Sequence, residues 1–252
     1  MLSTGWRTGS TLLQRVLMTD RRLMLWGEPL GRLGLLTRLS EAICGMQPGW
    51  PPDEYWVERR PPGDLTTSWI ANLFPPADDF RASLRALFDR WLGEPARARG
   101  YARWGFKEVR LGAAEGVLLR WLYPSAQLVV NSRNPIDAYR SVKGAAKDWR
   151  LYARWPDRRV DCVVSFARHW DSLASSWGHA PPGLAPFVVR YEELTAGGHL
   201  AQLASRLGLS LDPAPALAMR VGETGRPAAL SVLEGILLRR ETRSGRRVMG
   251  YS

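Results

Sequence analysis

Residues 3–17 read STGWRTGSTLLQRVL, a basic turn punctuated by Gly5 and Gly9 that runs directly into an amphipathic stretch. The short apolar start Met1 to Ser3 reads as a strand, and the spacing of Leu12, Leu13, Val16 and Leu17 predicts a helix over residues 10–20. Glycines admit backbone angles that side-chain-bearing residues avoid, so successive N–H groups of such a turn can converge on one point. The helix start adds its positive end, Arg7 adds a full charge, and Thr8, Ser10 and Thr11 add hydroxyl donors. The turn is suited to hold a phosphate-like anion.

Working outward, short β-rich apolar runs at Met1 to Ser3, Trp104 to Lys107, Gln127 to Asn131 and Pro186 to Arg190 read as buried strands. Helical spacing marks stretches near 10–20, 30–44, 79–92, 112–122, 135–148, 160–177, 196–208 and 228–240. Strands alternating with helices define an α/β fold, a parallel sheet of about five strands covered on both faces. A chain of 252 residues buries roughly three quarters of its unfolded surface, enough for one large domain without disulfides. A single domain is expected, interrupted by an irregular insertion around 45–78 that is rich in proline and carries Trp50, Trp56 and Trp69.

The chain carries 35 basic and 24 acidic residues, a net charge of +11, and Lys107, Lys143 and Lys147 are its only lysines. An anionic partner is implied. The arginines are scattered rather than striped, and no zinc-finger spacing, RNA-recognition aromatic motif or basic zipper occurs, so no nucleic-acid partner is expected. Cys44 and Cys162 stand alone, without metal-ligand spacing. No apolar stretch approaches the ~18 residues of a membrane span and no secretory leader is evident, which leads to the expectation of a cytoplasmic protein without stable membrane insertion.

The familiar phosphate loop that ends in Gly-Lys is absent, and no strand ends in an aspartate able to hold magnesium, since residues 127–132 read QLVVNS. Metal-assisted phosphoryl transfer is therefore disfavoured and no metal site is expected. Two rivals stay open from the residues alone: a kinase of a small alcohol, which needs magnesium and ATP, and a non-catalytic anion-binding or nucleic-acid-binding module.

Residues 6–13, WRTGSTLL, resemble the 5′-phosphosulfate loop of sulfotransferases, and residues 128–141, LVVNSRNPIDAYRS, resemble the 3′-phosphate motif of the same family. In that motif a strand ends in arginine, a proline-bearing turn follows, and a serine stands eight positions after the arginine; Arg133, Pro135 and Ser141 keep this pattern. VVRYEEL, residues 188–194, is similar to a late strand–turn segment of the family, and VMGY, residues 248–251, to the end of many bacterial members. The likeness extends over most of the chain outside 45–100, the region where an acceptor pocket would vary.

The resemblance implies a P-loop-type fold, transfer of a sulfuryl group from 3′-phosphoadenosine-5′-phosphosulfate to an acceptor hydroxyl, and no metal. It assigns Arg7, Thr8, Gly9, Ser10, Thr11 and Leu12 to the 5′-phosphosulfate, Arg133 and Ser141 to the 3′-phosphate, and adds Tyr191 to the donor set. Sulfuryl transfer asks for a base and for cations that offset charge on the leaving oxygen. Glu28, in a Gly-Glu segment twenty-one residues after Arg7, matches the catalytic glutamate of tyrosylprotein and related members; Lys107, at a strand end, matches their lysine. Arg7 shares the electrostatic role. The plainer alternatives are an exposed carboxylate for Glu28 and an ion pair with Glu108 for Lys107. His169 is a second candidate base that also reads as core or surface, Trp149 and Trp155 could line the acceptor site, and Arg243, Arg246 and Arg247 lie where members bring a basic segment over the donor. The acceptor, whether small molecule, glycan, lipid or peptide, is not specified by these residues.

Overall fold

The computed structural model describes residues 1–29, 33–46, 49–60, 63, 65–67, 69–145, 160–218 and 228–252. In chain order its elements are β1 (Leu2–Ser3), α1 (Ser10–Leu17), β2 (Leu23–Trp26), α2 (Leu35–Cys44), α3 (Ala77–Phe88), α4 (Glu94–Arg97), β3 (Arg103–Phe106), α5 (Ala113–Leu122), β4 (Val129–Ser132) and α6 (Pro135–Ala145). The order continues with α7 (Val163–Ser176), β5 (Phe187–Arg190), α8 (Tyr191–Thr195), α9 (Leu200–Leu207), α10 (Ala214–Ala218), α11 (Val232–Glu241) and α12 (Arg243–Val248). Trp149 and Trp155 lie outside the described residues.

Every strand pairing is parallel. β4 lies between β1 and β5, with Leu2 opposite Val130 and Val130 opposite Val188, while β2 pairs with β3 through Leu23 and Arg103 to Trp26 and Phe106. Two further backbone bonds join the pairs: the Met1 nitrogen donates to Phe106 O at 2.7 Å and Glu108 N donates to Met1 O at 2.9 Å. That is one rung of a parallel ladder with Met1 facing Lys107, so the five strands run in the order β2-β3-β1-β4-β5.

Alternation along the strands sends neighbouring residues to opposite faces. Val130 and Leu2 enter a core shared with α2, α5, α6 and α7, whereas Val129, Val189, Leu23 and Leu25 enter a second core under α1 and α9. β2, Leu23–Trp26, is the strand that apolar runs missed; it follows α1 after a tight turn. That turn is held by Asp20, which accepts from Arg22 N, from the Arg22 guanidinium at 2.6 Å and from Ser210 N at 2.8 Å. The helix expected over 196–208 begins later, at Leu200, after the separate short helix α8.

The insertion forms short 3₁₀ turns at Asp53–Tyr55, Val57–Arg59 and Leu65–Thr67, with Trp56 and Phe74 bridged as an isolated pair. Among the described residues, no helix is long and apolar enough to cross a membrane.

Candidate active site

Parallel strands deliver all their carboxyl ends to one edge of the sheet, and in open α/β sheets that edge is where ligands bind. Here it collects the expected site residues. The glycine turn leaves β1, Glu28 follows β2, Lys107 follows β3, Arg133 follows β4 and Tyr191 follows β5. Positions far apart in sequence meet because the sheet aligns their strand ends.

The turn itself is held in shape by buried polar groups. Gly5 and Gly9 have φ of 135° and 83°, and Arg7 sits at 58°, a left-handed conformation rare for a side-chain-bearing residue. Thr8 is fully buried and donates to Gly5 O at 3.0 Å, with Ser3 Oγ 2.5 Å from its hydroxyl. β4 grips the turn from the other side: Asn131 Nδ2 donates to Thr8 O at 2.8 Å and Arg133 Nη1 donates to Arg7 O at 3.0 Å. In a trans peptide the N–H points opposite to its carbonyl. With these two carbonyls turned toward β4, the N–H groups of Thr8 and Gly9 are turned away from it. α1 starts at Ser10 with no side-chain cap, so its first N–H groups are available to an anion.

The two motifs singled out in the sequence touch. Arg7 Nε donates to Ser141 Oγ at 3.1 Å across a sequence separation of 134 residues. Arg133 lies with its guanidinium carbon 4.4 Å from the centre of the Tyr191 ring. The same ring covers Gly9 so closely that a β-carbon there would stand 2.1 Å from Tyr191 Cδ2. Gly9, Tyr191 and Arg133 form a stack that ties three separate motifs together.

A second cluster lies at the ends of β2 and β3. Glu28 has a cation on each oxygen: Lys107 Nζ is 2.5 Å from Oε1 and Arg110 Nη2 is 3.0 Å from Oε2. Lys107 thus pairs with Glu28 and not with Glu108, its sequence neighbour. Arg110 is itself fixed by Glu108, donating to both carboxylate oxygens at 2.8 and 2.9 Å. The Arg110 side chain is 2% exposed and that of Glu108 0%, against 23% for Glu28. Burial pushes the Glu108 carboxyl up from its ordinary value, against the pull of the Arg110 hydrogen bonds. Gln14 of α1 donates to Leu25 O and Trp26 O at 2.8 and 3.3 Å, fixing the end of β2 relative to the turn.

A cleft of about 320 Å³ opens beside this cluster, lined among others by Thr37, Ser40, Glu41, Arg110, His169 and Ser172. Its residues come from α2, the approach to α5, and α7. Among the described residues of 45–100, none lines it, although the sequence directed attention there. His169 is buried and stacks on Trp6 of the turn, ring centres 4.9 Å apart and planes 20° from parallel. Trp6 therefore packs into the protein and joins the turn to the cleft wall.

The basic C-terminal segment borders the other side. Arg243, Arg246 and Arg247 surround an open pocket of about 400 Å³ with Gly250 and Tyr251. Arg190 donates to Gly250 O at 2.8 Å, and Tyr251 Oη donates to Glu192, whose second oxygen accepts from Asn134 N. Burial pushes the Tyr251 hydroxyl well above its ordinary value, so it acts as a neutral donor. These bonds set the segment beside the Arg133–Asn134 turn.

Arg110 and Asn131 were not singled out by sequence, and Glu108 entered only as an alternative partner of Lys107. The available signal was charge and amide groups at the ends of apolar strands, in KEVR and VVNS, where a polar residue without a partner would be expensive to bury.

Fold and site together define an α/β protein with a parallel sheet, a glycine turn at the first strand and a second motif, carrying Arg133 and Ser141, after the fourth. The chain matches the family described as "Sulfotransferase family" over residues 4–213 and belongs to it. It is a sulfotransferase. No curated protein matches the chain in sequence.

Proposed function

We propose that the protein transfers the sulfuryl group of 3′-phosphoadenosine-5′-phosphosulfate to an acceptor hydroxyl, releasing a sulfate ester and adenosine 3′,5′-bisphosphate. The observation that carries this reading is the contact between the two anion motifs, Arg7 to Ser141 and Arg133 to the Arg7 carbonyl. A ligand with phosphate at both ends of one nucleoside suits a cleft in which both binding elements meet.

In this reading the N–H groups and hydroxyls of residues 7–12 hold the 5′-phosphosulfate. Arg133 and Ser141 hold the 3′-phosphate; a serine hydroxyl can accept from Arg7 while donating to phosphate. The Tyr191 ring keeps Arg133 in place. Glu28 takes the proton of the acceptor hydroxyl as its oxygen bonds to sulfur, and the bond from sulfur to the bridging oxygen breaks with its electrons left on the bisphosphate. Lys107 and Arg7 offset that charge, which develops in the transition state and is where cations accelerate the step. The acceptor enters by the cleft at Arg110 and His169.

Calorimetric titration without magnesium tests the reading, using adenosine 3′,5′-bisphosphate, ATP and AMP. The bisphosphate binds at least about tenfold more tightly than either, and Arg133→Ala removes most of that preference. Repeated with magnesium, the same titration distinguishes the kinase reading, which a preference for ATP appearing only then would support.

A further inference from the structure

The carboxylate assigned as base is engaged on both oxygens. Each has a cation, and an acceptor hydroxyl approaching Oε1 shares that oxygen with the Lys107 ammonium. The two cations differ in how firmly they are held. Arg110 is clamped by both oxygens of buried Glu108, and Glu108 is anchored again by the Val109 N–H at 2.8 Å. Lys107 has Glu28 as its side-chain partner, and its long stem can swing about a fixed backbone, since Lys107 N is bonded to Trp26 O at 3.0 Å.

We infer that Arg110 is the positioning residue for Glu28, and that Lys107 is the movable cation whose transfer to the incoming sulfuryl group frees Glu28 Oε1. The inference rests on the proposed donor. Donor binding and activation of the base are then one event: the ammonium leaves Oε1 for the oxygens around sulfur, while Arg110 keeps Oε2 neutralised and the carboxyl plane aimed at the cleft. Without Arg110, the departure of Lys107 would strand a partly buried carboxylate, which is costly. Glu108 stays in place throughout as the fixed anion that balances Arg110. In the free protein the Lys107–Glu28 pair also keeps the base silent until donor is present.

The exchange is measurable by binding alone, because the donor and adenosine 3′,5′-bisphosphate differ only in the sulfuryl group. The ratio of their dissociation constants, measured without acceptor, reports on Lys107. Lys107→Met lowers the donor preference by about tenfold or more. Glu28→Gln raises it by about fivefold, since Lys107 no longer leaves an ion pair to reach the donor. The double variant behaves like Lys107→Met. Arg110→Gln lowers the preference by about fivefold and Arg110→Lys restores most of it, while bisphosphate affinity stays at the wild-type value in both Arg110 variants. A purely structural Arg110 would move both affinities together. Glu28→Gln leaving the preference unchanged or lowering it overturns the exchange, and this variant alters only a partly exposed side chain. Failure of the wild type to bind either nucleotide sinks the donor assignment itself, a separate result.

Discussion

The stack of Gly9, Tyr191 and Arg133 makes Gly9→Ala the most informative single change. Position 9 has φ of 83°, where an alanine costs about 1–2 kcal/mol relative to its right-handed conformation. Its β-carbon would stand 2.1 Å from Cδ2 and 2.6 Å from Cε2 of Tyr191, distances no packing tolerates, and these atoms belong to a rigid ring and not to a flexible tip. The ring must move, taking with it the cation–π contact to Arg133, which contributes about 0.5–2 kcal/mol according to its exposure. The expected loss is about 1.5–4 kcal/mol, divided between folding and donor affinity. Urea unfolding and calorimetry with adenosine 3′,5′-bisphosphate measure the two parts. Because steric conflict with one ring is the main cause, Gly9→Ala combined with Tyr191→Ala should cost less than the sum of the single changes. Wild-type midpoint and affinity in Gly9→Ala would refute the stack, as would strict additivity of the pair.

Two further predictions concern the scaffold. Arg22 and the N–H groups of Ser210 and Arg22 hold the Asp20 carboxyl far below the usual carboxylate range. A depressed folded-state value means that its contribution is present above about pH 4 and is lost as pH falls below it. Asp20→Asn should therefore lower the urea midpoint at neutral pH, with the gap to wild type closing in acid; a constant gap down to pH 2 would contradict this. Gly245 of α12 lies where a β-carbon would be 2.6 Å from Ala174 Cβ and 2.9 Å from the Trp170 ring. Gly245→Ala should cost about 1–3 kcal/mol through overpacking against α7, and an unchanged melting temperature would show that the two helices do not meet as described.

Much of the sheet was legible, for a local reason. β3, β4 and β5 are short β-rich runs bounded by turn residues; β4 is buried at every position, as a strand covered on both faces is, while β3 and β5 are partly buried. The turn at residues 3–10 was legible because its glycines sit where positive φ occurs. β2 was not, since only a tight turn separates it from the end of α1 and its apolar residues run on from those of the helix. The assignment of Lys107 to Glu108 as its plain alternative failed for a geometric reason: adjacent residues leaving a strand point to opposite faces, so Lys107 reached Glu28 and Glu108 turned inward to Arg110.

What the chain order alone determined was the class of protein: alternating strands and helices, a glycine turn fit for an anion, and an arginine and serine eight positions apart. These depend on near neighbours, and near neighbours are visible in a sequence. Which of these groups share a site was decided only by the parallel sheet, whose register aligns Met1 with Lys107 and Leu2 with Val130 and so gathers five strand ends at one edge. The carboxylate between two cations, the ring on Gly9 and the cleft between α2 and α7 arise from separations of tens to hundreds of residues. Such contacts carry no local periodicity, because burial and register, not spacing, bring them together.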